Sequence, residues 1–255
     1  MSTYRNLDSD QIISTVEKLS RRVSERFPES GLSGVARDLF ALSRESKMWA
    51  NLVSQPHLGF RIAQWFIVVL AVGGLTALGW VAYSYTAGTN GPPEGLFGLE
   101  TLMTVLDAST NLVVVLGAGL LFVLTFETRM KRKRALRLIH QLRSIAHVID
   151  MHQLPKDPER VTDRTGALTA SSPEREFTAF ELTRYLDYCS EMLSLTGKIA
   201  ALCVKDFADS VTLSAVNEIE TLTTGLSRKI WQKVTIVQSI HGISRREKIE
   251  NTQEA

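Results

Sequence analysis

Along the chain, stretches with helical periodicity are interrupted by two stretches that have no polar face. From Asp8 to Pro28 the apolar positions are Ile12, Ile13, Val16, Leu19, Val23 and Phe27. Spacing of three and four residues predicts an amphipathic helix, with Asp8 or Ser9 as its cap and Pro28 as its stop. After PESG the pattern resumes through Val35, Leu39, Leu42, Met48, Trp49 and Leu52 and ends before Pro56. Segment 1–56 is therefore expected to be a pair of amphipathic helices that pack against other helices rather than lying in a membrane interface.

The run from Ile62 to Tyr83, IAQWFIVVLAVGGLTALGWVAY, contains no charge. At 1.5 Å per residue it reaches roughly 33 Å, enough for a bilayer's hydrocarbon core. It starts some sixty residues into the chain and exceeds the length of a leader's apolar core, so a membrane span is expected rather than a cleaved signal. A second run, NLVVVLGAGLLFVLTF from Asn111 to Phe126, needs residues between Leu102 and Thr110 to cross, and that stretch carries Asp107. The expected unit is a transmembrane hairpin over 57–128, with spans at 62–83 and 108–127 and a connecting loop at 84–107. TAGTNGPPEG gives the loop its break. Gly73, Gly74, Ala77, Gly117, Ala118 and Gly119 permit close helix contact, and Gly73 and Ala77 have small-xxx-small spacing.

Beyond the second run, Leu138, Leu142, Ile145 and Ile149 continue a helical pattern as a stalk over 129–153. Pro155 ends it, and 154–172 reads as a polar linker. Ser172-Pro173-Glu174 suits a helix start. Phe180, Leu182, Leu186, Cys189, Leu193, Ile199 and Cys203 form one apolar face. KDFADS breaks it. Leu213, Val216, Ile219, Leu222, Leu226, Ile230, Val234, Val237 and Ile240 form another. Segment 173–243 is thus a helical hairpin of two arms of about 33 residues, coiled-coil-like, completed by the stalk, the N-terminal pair or another subunit. Residues 244–255 read as a polar, frayed tail. The fold class is an all-α membrane protein: a two-span hairpin with cytoplasmic helical hairpins.

Charge sets the orientation. The connecting loop has Glu94, Glu100 and Asp107 but no lysine or arginine. Arg37, Arg44, Lys47 and Arg61 precede the first span, and Arg129, Lys131, Arg132, Lys133, Arg134 and Arg137 follow the second. An excess of basic residues marks the cytoplasmic side, so both ends are expected there. The basic block is first a stop-transfer anchor. A sharper reading makes it an anionic-lipid site, since each basic residue near a charged leaflet gains roughly 1 kcal/mol. The whole chain has a net charge of only +2, and nothing in that balance asks for nucleic acid. Cys189 and Cys203 fall in a segment whose thiols are kept reduced, and their spacing suits core filling.

Little else carries chemistry. His140, His147, Asp150 and His152 cluster on the stalk. His147 and Asp150, three apart, could give two metal ligands, and a third is not visible in the sequence. Asp107 lies near the outer headgroups or, if deeper, becomes a pore residue, because a carboxylate inside a membrane is costly. The LSRKIWQK cluster, with Arg228, Lys229, Trp231 and Lys233, is a solvated face or a grip for an acidic partner. There is no phosphate loop, dinucleotide fingerprint, nucleophile elbow or HExxH pair, and no cofactor is expected.

The strings HQLPKDPE, YLDYCSE and TTGLSRKIWQK resemble parts of an uncharacterised bacterial membrane-protein family, a resemblance that implies no function. The layout is also similar to predicted bacterial two-span conflict effectors, which are thought to perforate membranes. The leading expectation is a non-enzymatic inner-membrane protein whose cytoplasmic helices self-associate or dock a cytoplasmic protein. The alternatives are an oligomeric channel or pore and, third, a membrane-tethered metal-dependent enzyme.

Overall fold

Residues 7–54, 58–87, 96–156, 158, 177–207 and 209–253 are described by a computed structural model, and among them the backbone forms helices and no strand. In chain order they are α1 (Ser9–Arg26), α2 (Gly31–Ser54), α3 (Leu58–Ala87), α4 (Leu96–Gln153), α5 (Ala179–Leu202) and α6 (Ser210–Gln253). Local chemistry sets several ends. The Asp8 side chain accepts the Asp10 amide at the start of α1, and Phe27 closes its other end just before Pro28. Thr178 and Glu181 form a reciprocal capping box at the start of α5. The Thr178 amide and then its hydroxyl, both donating to Glu181, hold that carboxyl below its ordinary range. Residues 159–176, most of the expected linker together with Ser172-Pro173-Glu174, lie outside the described residues, as do 88–95 of the expected loop.

The chain divides into two compact units, Met1–Ser54 with Arg132–Ala255, and Gln55–Lys131. In the first, α1, α2, the part of α4 from Arg132 onward, α5 and α6 share one core. Each contributes a stripe. Val16, Leu19 and Val23 come from α1, Leu32 and Leu39 from α2, Ile139, Leu142 and Ile149 from α4, Leu186, Met192 and Ile199 from α5, and Ile219, Ile230 and Val234 from α6. Burying such a stripe removes roughly 1.5–3 kcal/mol of unfavourable hydration per large side chain. Where α1 ends and α5 begins, Phe27 meets Phe177, Tyr185 and Tyr188 edge to face at 5.5, 5.3 and 6.3 Å between centroids. Buried hydroxyls are satisfied within their own helices: Ser46 donates to Leu42, Thr196 to Met192 and Thr223 to Ile219.

Some positions depart from the apolar pattern. Met48 and Phe180 are 60% and 62% exposed, and Leu213 is also exposed. An arginine guanidinium, that of Arg26, lies 5.5 Å over the Phe180 ring, which gives this outward aromatic a partner the periodicity does not show. The two arms of the expected hairpin are unequal, α5 with 24 residues and α6 with 44, and α6 stays helical past Ser244 to Gln253.

Gly31 opens α2 against the ring of His152 on α4, with a Cβ placed there 2.8 Å from Nε2 and 3.0 Å from Nδ1. A side chain larger than hydrogen must push that ring away. Because Gly31 is itself exposed and the half-buried ring can turn aside, Gly31→Val is expected to destabilise the bundle by only about 1 kcal/mol, the low end of the overpacking range. His152→Ala should restore most of the loss in a double-mutant cycle read by chemical denaturation. Equal cost in both backgrounds would remove the steric explanation.

The second unit is built on the opposite rule. Trp65, Phe66, Val69, Val113, Val115, Leu121 and Phe122 are all more than half exposed. Within it, α3 and α4 approach at Gly74, where a Cβ would stand 2.5 Å from Leu112 Cδ2, whereas Gly73, Gly117 and Gly119 meet nothing within 4 Å. The small-residue contact is thus made by Gly74 rather than by the Gly73 and Ala77 spacing. One helix among the described residues, Leu106–Gln153, is long and apolar enough to cross a membrane, with a mean hydropathy of 2.0 over its best stretch and none of that stretch buried. In α3 the comparable described stretch, Trp65–Ala77, is shorter.

Candidate functional site

The basic run of α4 sorts into paired and unpaired residues. In the apolar unit, Lys131 Nζ lies 2.7 Å from Glu127 one turn earlier, with both side chains largely covered. In the bundle, Arg132 donates from Nε at 3.0 Å and Nη2 at 2.6 Å to one oxygen of Asp209. The other Asp209 oxygen accepts the Thr212 amide at 3.1 Å, and the Leu213 amide reaches the Asp209 carbonyl at 2.9 Å, so Asp209 is the N-cap of α6. Only 6% of its side chain is exposed. Burial raises the affinity of this carboxyl for a proton, but the Arg132 hydrogen bonds, the Thr212 amide and the guanidinium charge outweigh it and hold the group below the ordinary carboxylate range.

Arg129, Lys133, Arg134 and Arg137 are exposed and have no ion pair with any described residue. On the bundle's part of α4, Lys133, Arg137, His140 and Ser144 recur at three- and four-residue spacing, roughly opposite the buried Leu138, Leu142 and Ile149. With Leu136 and Gln141 they line a shallow open groove of about 470 Å³. His140 also borders a second depression that crosses to Ser210 and Ser214 on α6. Beyond that depression Arg143 pairs with Glu218.

The other candidates separate. His147 is exposed, and Asp150 accepts a hydrogen bond from Gln153 Nε2 at 2.7 Å. No cluster of three histidine, cysteine or carboxylate side chains exists among the described residues, so none brings a third ligand to His147 and Asp150. Cys189 and Cys203 are free and buried. Burial pushes the Cys189 thiol up to about 12, partly offset by Lys233 and Lys156, and the Cys203 thiol up to about 11. Neither is a thiolate at neutral pH. Asp107 is exposed on its helix and accepts from Asn111 Nδ2 at 3.4 Å. Within the LSRKIWQK cluster, Lys233 is turned to structure: its Nζ donates to the Gln153 carbonyl at 2.8 Å and the Lys156 carbonyl at 3.2 Å, closing the C-terminus of α4. Trp231 remains 65% exposed and lines a groove between α1, α5 and α6.

Periodicity could not supply the Asp209 contact, because KDFADS reads only as a break between two apolar faces. A signal was present nonetheless. Aspartate directly before a run of helical apolar periodicity is a favoured N-cap residue.

No protein-family model, curated protein or solved structure matches this chain.

Proposed function

We propose that this chain is a non-enzymatic, two-span membrane protein whose helical bundle lies in the cytoplasm and serves as a module for self-association or for docking a partner at the membrane. The observation that carries this reading is the contrast between the two units. Large apolar side chains face outward along the described part of 58–131, whereas each bundle helix buries most of its apolar stripe. Exposed apolar surface on that scale suits an apolar solvent, and the backbone of α3 and α4 is helical, the form a bilayer tolerates. α3, with no charge from Ile62 to Tyr83, is the first span, and the apolar part of α4 is the second. Basic residues on both flanks and acidic ones between support cytoplasmic termini.

A second reading, an oligomeric channel or pore, is favoured by one feature. Asp107 and Asn111 form an exposed polar pair one turn apart on the apolar helix. Such a pair is costly against lipid and is relieved by a water-filled pathway. Two spans per chain line a pathway only in a ring of subunits. The protein mass of the detergent-solubilised complex, with the micelle subtracted, separates the two. A monomer or dimer is expected; a stable assembly of four or more chains would displace docking in favour of the pore.

A further inference from the structure

We infer that Lys133 and Arg137, with His140 and Ser144 beside them, form a binding site for the phosphate headgroup of anionic bilayer lipids. The inference rests on the membrane-anchor reading and narrows it to particular side chains. Of the six basic residues that end the apolar run, Lys131 is already paired with Glu127 and Arg132 with Asp209. Lys133 and Arg137 stand one turn apart on the exposed side of α4, where no described carboxylate reaches them. His140, one turn beyond Arg137, adds a ring nitrogen to the same groove, whereas the Ser144 hydroxyl farther along it donates to the His140 carbonyl at 3.1 Å. A guanidinium and an ammonium one turn apart match a phosphate's several acceptor oxygens better than a single carboxylate.

Chain connectivity favours a lipid as the source of that phosphate. Lys133 follows Phe126, the last apolar residue of the run, by seven residues. A trans backbone of that length reaches at most about 25 Å, whatever its path. Lys133 is therefore held by the chain within that distance of the end of the apolar run, and no free diffusion separates it from a bilayer that contains the run. The opposite side of α4 is closed by the core at Leu138 and Leu142, which leaves the basic side as the one that faces out.

The test uses the full-length protein in mild detergent, titrated with phosphatidylglycerol or phosphatidylcholine, with bound lipid counted by native mass spectrometry. Wild type is expected to prefer phosphatidylglycerol. Lys133→Gln with Arg137→Gln should reduce that preference about twenty-five-fold, from two basic residues at roughly fivefold each. Arg228→Gln with Lys229→Gln removes the same charge from the exposed face of α6 and should leave the preference intact. Two results would overturn the proposal: full preference retained by the Lys133 and Arg137 variant, or equal loss in the α6 control. Displacement of bound lipid by millimolar inorganic phosphate would reassign the groove to a free anion. Alkaline extraction of cell membranes isolates the underlying premise, since a chain released into the supernatant defeats the anchor itself, whereas a retained chain without lipid preference defeats only the headgroup site.

Discussion

Replacing Leu142 by alanine is expected to destabilise the bundle by about 3–4 kcal/mol, the range for truncating a fully buried leucine that leaves a cavity. Leu142 has no exposed surface and lies on the part of α4 that enters the core shared with α1, α2, α5 and α6. Its flanks on that stripe, Ile139, Ala146 and Ile149, are equally inaccessible, so the vacated volume has little freedom to collapse. Val148→Ala is the matched control, since Val148 lies on the same helix but is 37% exposed. Its cost should stay below about 1 kcal/mol. Urea denaturation of the full chain, followed by tryptophan fluorescence, gives both values. Comparable losses at the two positions would mean that α4 is a free stalk and not a wall of the bundle.

Asp209→Ala is expected to cost about 2–3 kcal/mol, because it removes an N-cap and leaves Arg132 beside a low-dielectric pocket without its carboxylate. Arg132 keeps 38% of its side chain in solvent and can turn outward, which holds the figure below that of a fully buried pair. Asp209→Asn preserves the cap and isolates the charge. The pH dependence has a definite sign. The folded carboxyl binds its proton more weakly than the unfolded one, whose ordinary value is about 3.9. Its contribution is therefore fully present above that value and is lost as pH falls through the lower folded value. The gap in thermal midpoint between wild type and Asp209→Asn should be constant from neutral pH down to about pH 5, then narrow below about pH 4. A gap that widens on acidification would reverse the sign and refute the ion pair as its source.

Both experiments concern contacts that no local pattern announces. Arg132 and Asp209 are 77 residues apart, and Lys233 is 80 residues from the carbonyl of Gln153 that it caps. The basic block at 129–137 was visible as a block, and its proximity to the apolar run was visible too. Which of its members remain available was not, since that depends on the surfaces that meet them. His147 and Asp150 illustrate the same limit from the other side. Their spacing permitted two ligands, and the described structure brings no third to them. The cysteines were read as core fillers from their place on the apolar face of α5, and they are buried there.

Helix content was legible because it is local. The spacing of Ile12, Val16, Leu19 and Val23 is a property of eleven or twelve successive residues, and Asp8 and Pro28 bound it by their own backbone chemistry. Segregation of charge was legible for the same reason: a run without charged residues is a property of consecutive positions. From the residues alone it followed that the chain is helical, that one region is apolar on every side, and which face of each amphipathic helix must be hidden. What hides it was set by the packing. An apolar stripe states that burial is needed and names no partner, so the N-terminal pair, the end of α4 and the C-terminal helices could each have closed on a second chain. They close on one another instead, with Leu142, Leu186 and Ile219 in one core. Charges follow the packing: Arg132 meets Asp209 because α6 begins beside α4, while Lys133 and Arg137, on the far side of the same helix, are left to whatever lies outside the chain.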